Sequence, residues 1–391
     1  MKTLVPLFAL GFVLLNTVAS FTQRPALRFS RPSQLAIAND ALTGAAAGDF
    51  NADGLMDLAV GAPASGLVHV AIADRRGTFA APVGYPVAPG RGHLAVADFN
   101  NDAALDIVFA GAGIAVLLGN GDGTFLPPVV SFGSAADVVV ADFDGDGAAD
   151  IASVGKNSVS TIPDTVDVYP GLGDGTFGAP RTLATSDNGP AALAAGDVNG
   201  DGRPDLLFGL RDIRQLHVFL NAGDFAFTPF TSAFIEVGPS RTVLGDLTGD
   251  GTLDVVTANF LGSVSVFSGN GDGTLGLERT YPACGASLPC SATQWAALAD
   301  LDGNGALDIV TAHHEPGSAS VLLNDGTGAF GAPLSLDVLA FAYAAVPGDF
   351  DGDGAIDVAV TSSDAAFVNS GERVVSTFLT RPMPPLWGRR R

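Results

Sequence analysis

Glutamate is almost missing from this chain. Of its 41 acidic residues only Glu236, Glu278, Glu315 and Glu372 are Glu, and the other 37 are Asp. A surface made acidic for solubility alone would draw on both. Basic residues are also few, 19 Lys and Arg, so the formal charge is −22. That balance argues against nucleic-acid binding, where a basic face supplies most of the affinity. Histidine occurs five times and cysteine twice. The chain has no His-Glu-x-x-His, no Gly-x-Ser-x-Gly elbow and no phosphate loop. Charged residues make up only 15%, and the mean hydropathy of +0.34 excludes a disordered acidic chain. What is plentiful is Gly (50) and Pro (24), which disfavours long helices and points to many short strands and turns.

The ends of the chain read separately. One basic residue, Lys2, precedes an apolar run from Leu4 to Leu15 and small residues at Ala19 and Ser20. This is the pattern of a secretory signal peptide over residues 1–20, and the run is short of the roughly 20 residues of a membrane span. No later segment is apolar enough to cross a bilayer, so a soluble, secreted, extracellular protein is expected. In that compartment Cys284 and Cys290 are expected to form a local disulfide that pins one loop. Residues 381–391, rich in Pro and Arg, read as a disordered basic tail.

Between the ends the chain repeats itself. The pattern D-x-[DNT]-x-[DN]-[GA]-x-x-D begins at Asp49, Asp98, Asp142, Asp197, Asp246, Asp300 and Asp349, at intervals of 44 to 55 residues. A small-residue or apolar segment precedes each copy, as in Ala45-Ala46-Ala47-Gly48, and an apolar run such as Leu58-Ala59-Val60 follows. A further strand pattern then leads into glycine turns such as Asn120-Gly121-Asp122-Gly123-Thr124-Phe125, and a weaker fourth strand comes after. Four short strands per period of about 50, seven times over, predict an all-β, seven-bladed propeller occupying residues 21–380 as one domain. The last copy lacks a fourth strand. Residues 26–35 have that character and are expected to pair with the final blade and close the ring.

Each copy places side-chain oxygens at loop positions 1, 3, 5 and 9, with a turn-permissive residue at 6. The sets are Asp49, Asn51, Asp53 and Asp57; Asp98, Asn100, Asp102 and Asp106; and Asp142, Asp144, Asp146 and Asp150. They continue with Asp197, Asn199, Asp201 and Asp205; and Asp246, Thr248, Asp250 and Asp254. The last two are Asp300, Asp302, Asn304 and Asp308; and Asp349, Asp351, Asp353 and Asp357. Hard oxygen donors of this number and charge suit Ca²⁺, with up to seven ions, one per blade. An EF-hand is excluded, because position 12 carries Val60, Phe109, Ser153, Phe208, Thr257, Thr311 or Val360 where a Glu is required. The four-carboxylate third and seventh copies are expected to bind tightest, and the second, fifth and sixth to be weakest. Of the 28 ligand positions 23 are Asp, so outside these loops acids and bases nearly balance.

These repeats resemble the FG-GAP/VCBS type of calcium-binding β-propeller, seen also in the ring domain of integrin α subunits and in some secreted lectins. The resemblance implies calcium in the loop joining the first two strands of each blade, on one rim of the ring. It leaves activity open, since such propellers serve adhesion, sugar binding and non-catalytic parts of enzymes. The Gly-Asp-Gly-Thr-Phe turns read as hairpins with an aromatic packed between blades. On the rim opposite the acidic loops the sequence puts Arg91, His93, Asp164, Arg211, Asp212, Arg214, Phe260, Trp295, Tyr343, Asp364 and Glu372, with the cluster His313-His314-Glu315. Trp295, His313, His314, Glu315 and Tyr343 are the candidate ligand-binding residues, and no catalytic residue is assigned. The leading expectation is a monomeric binding module for glycan or extracellular protein. A polysaccharide lyase or hydrolase, or a purely structural surface protein, is the alternative.

Overall fold

The computed structural model describes residues 27, 29, 33–37, 42–90, 92–133, 135–155, 164–186, 189–285, 290, 292–314, 317–336, 338, 341–363 and 373–380. The expected signal peptide, the basic tail, Arg91, Glu315, Asp364 and Glu372 lie outside the described residues. Among the described residues all regular structure is strand, arranged as seven four-stranded antiparallel sheets. No helix among them is long and apolar enough to cross a membrane.

Six blades use four consecutive strands. Blade 1 is built of Ala45–Gly48, Asp57–Ala62, Leu67–Ala71 and Val83–Pro86. Blades 2 to 7 begin at Leu94–Ala97, Ala135–Ala141, Pro190–Gly196, Pro239–Gly245, Thr293–Ala299 and Ala342–Gly348. Each first strand lies against the first strand of the next blade, and blade 7 returns to blade 1, so the first strands form the inner wall of a closed ring. Their Ala- and Gly-rich sequences follow from that convergence. At Gly245 an added Cβ would sit 2.7 Å from Leu298 and from Leu307 of blade 6.

Blade 7 is completed from the other end of the chain. Ser33–Ala36 pairs antiparallel with Arg373–Phe378, Ser33 opposite Thr377 and Ala36 opposite Val374, and a bridge joins Phe29 to Thr380. The N-terminal strand thus supplies the fourth strand, as expected, and leaves no half-built blade edge.

Second strands such as Asp57–Ala62 and Asp106–Ala110 are buried along their whole length, whereas fourth strands such as Val83–Pro86 are mostly exposed. Two buried faces explain why second strands read as unbroken apolar runs without alternation. The core is divided into clusters shared by neighbouring blades: Phe50 and Val68 with Phe109 and Leu117, for example, or Phe143 and Val168 with Leu206 and Phe219. The glycine turns lock these seams. Gly123 and Gly175 N–H donate to the Phe50 and Phe99 carbonyls of the preceding blade (2.9 and 3.0 Å). Phe125 packs edge-on against Phe50, and Phe177 against Phe99, at 5.4 and 5.5 Å between centroids.

The acidic loops and the channel mouth

Every acidic loop spans the turn between first and second strand, and its register is the same in all blades. The residue before position 1 pairs with position 9, as in Gly48 with Asp57, Ala97 with Asp106 and Gly348 with Asp357. Position 9 is buried in every copy. One of its carboxylate oxygens accepts the N–H of position 2, and the other accepts an N–H just beyond the third strand. For Asp57 the donors are Phe50 and Ala73 (2.9 and 2.8 Å), and for Asp150 they are Phe143 and Gly171 (both 2.7 Å). The same pair of bonds recurs at Asp106, Asp205, Asp254, Asp308 and Asp357. Position 9 is therefore a structural strut as well as a candidate ligand.

Position 1 folds the loop back on itself. Its Oδ2 accepts the N–H of position 6 in all seven copies, from Gly54 onto Asp49 through Gly354 onto Asp349. That closure needs left-handed backbone at position 6, where six copies have Gly and the second has Ala103 (φ 68°). It needs the same at position 4, a requirement the sequence pattern missed. Position 4 is Gly in five copies but Ala52 and Asn101 (both φ 58°) in the first two.

The loops differ in how their carboxylates meet. In blades 3, 6 and 7 three of them bring one oxygen each within 4.8 Å of one another: Asp142, Asp144 and Asp150; Asp300, Asp302 and Asp308; Asp349, Asp351 and Asp353. Blade 6, expected among the weak copies, belongs to this convergent group. Where position 3 is Asn the amide donates to position 5 instead, Asn51 to Asp53 and Asn100 to Asp102. In blade 4 Asn199 does the same, and Arg203 adds a guanidinium 2.6 Å from Asp201 Oδ2. That loop carries a cation of its own, which the spacing alone did not reveal.

Acid chemistry follows the geometry. Burial, reinforced by the neighbouring loop carboxylates and opposed by the two N–H donors, pushes Asp57, Asp106, Asp150 and Asp308 up to about 6 and Asp357 up to about 7. Asp205 and Asp254 rise for the same reason. A ring of buried acids drawn toward the neutral form is an all-oxygen donor set short of positive charge, and it fits a hard divalent cation. Each position-9 oxygen accepts one N–H and, except at Asp357 Oδ1, which also accepts the Thr380 hydroxyl, keeps a second lone pair for an ion.

At the other rim the first residues of all seven inner strands surround a cavity of about 220 Å³ at the mouth of the channel. Asp137 of blade 3 is its electrostatic centre. His93 Nδ1 lies 2.6 Å from Asp137 Oδ1, Arg241 Nη1 of blade 5 donates to the same oxygen at 2.9 Å, and the Leu193 N–H donates to Oδ2. Burial alone would raise this carboxyl, but His93, Arg241 and the N–H outweigh it and hold it at about 2. The Arg241 guanidinium in turn stacks on Trp295 of blade 6, 4.5 Å from the ring centroid.

Of the residues proposed from sequence, the structure brings His93, Arg211, Phe260 and Tyr343 to this cavity. Trp295 is buried beneath Arg241 and does not stand on a surface loop. His313 is a correction: it is fully buried, its ring hydrogen-bonded by Thr293, Thr311 and Ser320, and burial lowers it to about 4. A neutral, enclosed imidazole cannot meet a ligand at the rim. His314 turns the other way and packs on Phe341 and Tyr343, its Nε2 3.3 Å from the Tyr343 hydroxyl. Asp137 and Arg241 were missed, and an Asp inside an apolar first strand (Ala135–Ala141) was the available signal. The disulfide between Cys284 and Cys290 is present, with Cα atoms 6.0 Å apart.

Comparison with known proteins agrees with the repeat geometry. A model described as an FG-GAP-like repeat matches residues 49–109, 98–153, 157–208, 246–311 and 300–360, well over half of the chain. No curated protein matches it. Among solved structures, an Agrocybe aegerita lectin, described by its specific recognition of non-reducing terminal N-acetylglucosamine, is 24% identical with a TM-score of 0.52. That alignment covers 75% of this chain and 80% of the lectin. BBS1N, crystallised in complex with ARL6DN, is 12% identical with a TM-score of 0.58 over 89% of this chain and 96% of that one. A second crystal of that complex gives 13% and 0.59 over 90% and 96%. At these identities the likeness is one of fold. With five repeat matches laid over seven identical loop registers, the chain belongs to the family of FG-GAP-like repeat β-propellers.

Proposed function

We propose that this protein is a secreted, calcium-stabilised propeller that binds glycan or extracellular protein through the rim opposite its acidic loops. The observation that carries the binding role is the cavity at the channel mouth, to which every blade contributes. A rigid ring that converges side chains from seven repeats on one concave, mixed polar and aromatic surface is suited to a ligand. The fold also serves N-acetylglucosamine recognition in the Agrocybe aegerita lectin, which favours a sugar.

Calcium would be held by positions 1, 3, 5 and 9 of each loop, with blades 3, 6 and 7 the readiest because their carboxylates already converge. When bound, the ion supplies the positive charge that the buried position-9 carboxylates lack. The chain's own part is positional. Position 1 closes the loop, position 9 ties it to the second and third strands, and the glycine turn of the next blade clamps its backbone. Metal at the loops therefore stiffens blade seams, while ligand recognition is left to the opposite rim. The apolar run after Lys2 supports export.

A glycan array run with a polysaccharide-degradation screen tests the binding role. Array binding without turnover is the expected result, and turnover or silence in both would overturn it. Metal analysis of the purified protein tests the ion, and the absence of calcium from protein kept in millimolar Ca²⁺ would refute that half.

A further inference from the structure

The channel-mouth cavity carries an unbalanced charge. Its ionisable lining consists of His93, Asp137, Arg211 and Tyr343. Asp137 is already matched by Arg241 and by His93, so its charge is spent inside the wall. Arg211 is different. Its guanidinium lies over Phe260 at 5.0 Å, its Nε is buried with no hydrogen-bond partner, and among the described residues it forms no ion pair. Its neighbour Asp212 turns toward Gly189 instead.

Two more donors behind the same wall are unanswered. Arg241 Nε and Trp295 Nε1 are buried without acceptors, and Trp295 is only 5% exposed. All three groups are donor-only, and a buried donor left unanswered is costly, more so when charged. Of the three residues only Arg211 lines the cavity, and its unmatched charge selects an acceptor-rich, anionic guest. The rest of the lining is neutral: Thr43, Gln294 and Tyr343 offer hydroxyl and amide groups, and Tyr343 offers ring surface, while Arg211 covers the Phe260 ring. A volume of about 220 Å³ admits one small ring and excludes a folded chain.

We infer that the cavity binds the carboxylate of an acidic sugar end-on, with Arg211, backed by Phe260, pairing the carboxylate and the Tyr343 side accepting the sugar ring. This deepens the glycan reading and rests on it. Arg211 is a binding residue here, and Asp137 with Arg241 fixes the wall beside it.

Titration of the full chain with D-glucuronate, D-glucose and acetate tests the inference, read by Trp295 fluorescence in a Trp387→Phe background and by calorimetry. Glucuronate should bind at least tenfold tighter than glucose or acetate. Arg211→Gln should lose at least tenfold while melting close to the parent, and Arg211→Lys should recover part of the loss, since a cation remains. Equal binding of glucose, or an Arg211→Gln variant that binds glucuronate unchanged, overturns the charge argument. Acetate as tight as glucuronate makes the guest a free organic acid and overturns the sugar half. If glucuronate fails while neutral glycans bind on an array, this inference falls and the binding-module reading stands; if nothing binds, both fall.

Discussion

With its acidic loops free of metal, this protein should be more stable in mild acid than at neutral pH, the reverse of an ordinary acidic protein. The perturbation is a chelator, and the argument runs through the position-9 carboxylates. In the unfolded chain an Asp titrates near 3.8, whereas in the metal-free fold Asp57, Asp106, Asp150 and Asp308 titrate at about 6 and Asp357 at about 7. Because the folded values are raised, the folded state holds more protons, and stability falls as pH rises from the unfolded toward the folded value. Between about pH 5 and about pH 7.5 a group at 6 loses about 1.4 kcal/mol, and one at 7 loses somewhat over 2 kcal/mol. The five together are worth several kcal/mol even after allowance for their shared surroundings, or a melting shift of about 5–10 °C for a domain of this size. His313, lowered to about 4, works in the opposite sense inside this window and offsets about 2 kcal/mol of that sum, leaving the sign unchanged, whereas Asp137, held at about 2, does so only below its unfolded value. On the proposed reading, Ca²⁺ in millimolar concentration would take the place of the proton, with an affinity that grows as the carboxylates ionise, so the slope should flatten or reverse. Scanning calorimetry in chelator and in Ca²⁺ across this range reads both. A chelated curve that is flat or rises with pH, or two curves that coincide, refutes the reasoning.

The remaining predictions are local. Ala103→Gly, which places glycine where the second loop needs φ of 68°, should stabilise by about 0.5–1 kcal/mol in urea melts, and Ala52→Gly should act in the same direction. Arg241→Met should cost about 3–5 kcal/mol by leaving the Asp137 charge buried without its cation, and adding Asp137→Asn should recover much of the loss in chemical denaturation. Gly92→Ala should be severely destabilising, because its Cβ would fall 1.3 Å from the Ala110 carbonyl oxygen; a soluble variant melting within a few degrees of the parent would contradict this. Phe125→Ala removes the ring wedged between Phe50 and Tyr85 and should cost about 3–5 kcal/mol, measured by equilibrium unfolding.

The chain's repeats were legible because each is a local device. A loop whose ligands sit within nine consecutive residues is written out in order, and so are the small residues before it and the apolar strand after it. Blade number, strand order and ring closure by Ser33–Ala36 follow from counting those units. Even the missed demand at position 4 was visible as Gly145, Gly200, Gly249, Gly303 and Gly352, and only Ala52 and Asn101 hid it. The loop-by-loop ranking was less secure, because it depends on neighbours such as Arg203 whose side-chain direction no spacing encodes.

The scarcity of Glu is thus explained by sequence alone: a nine-residue loop repeated seven times takes the shorter acid, and those loops hold most of the charge. The channel mouth is another matter. Its lining comes from every blade, so its members stand about one repeat apart in the chain, and the ion pair at its centre joins Asp137 to Arg241 across 104 residues. Nothing in the local pattern pairs those positions. Closing the ring does, because only then do seven strand ends meet around one axis. The same closure buries His313 inside blade 6, draws Trp295 under a guanidinium and leaves Arg211 facing the opening.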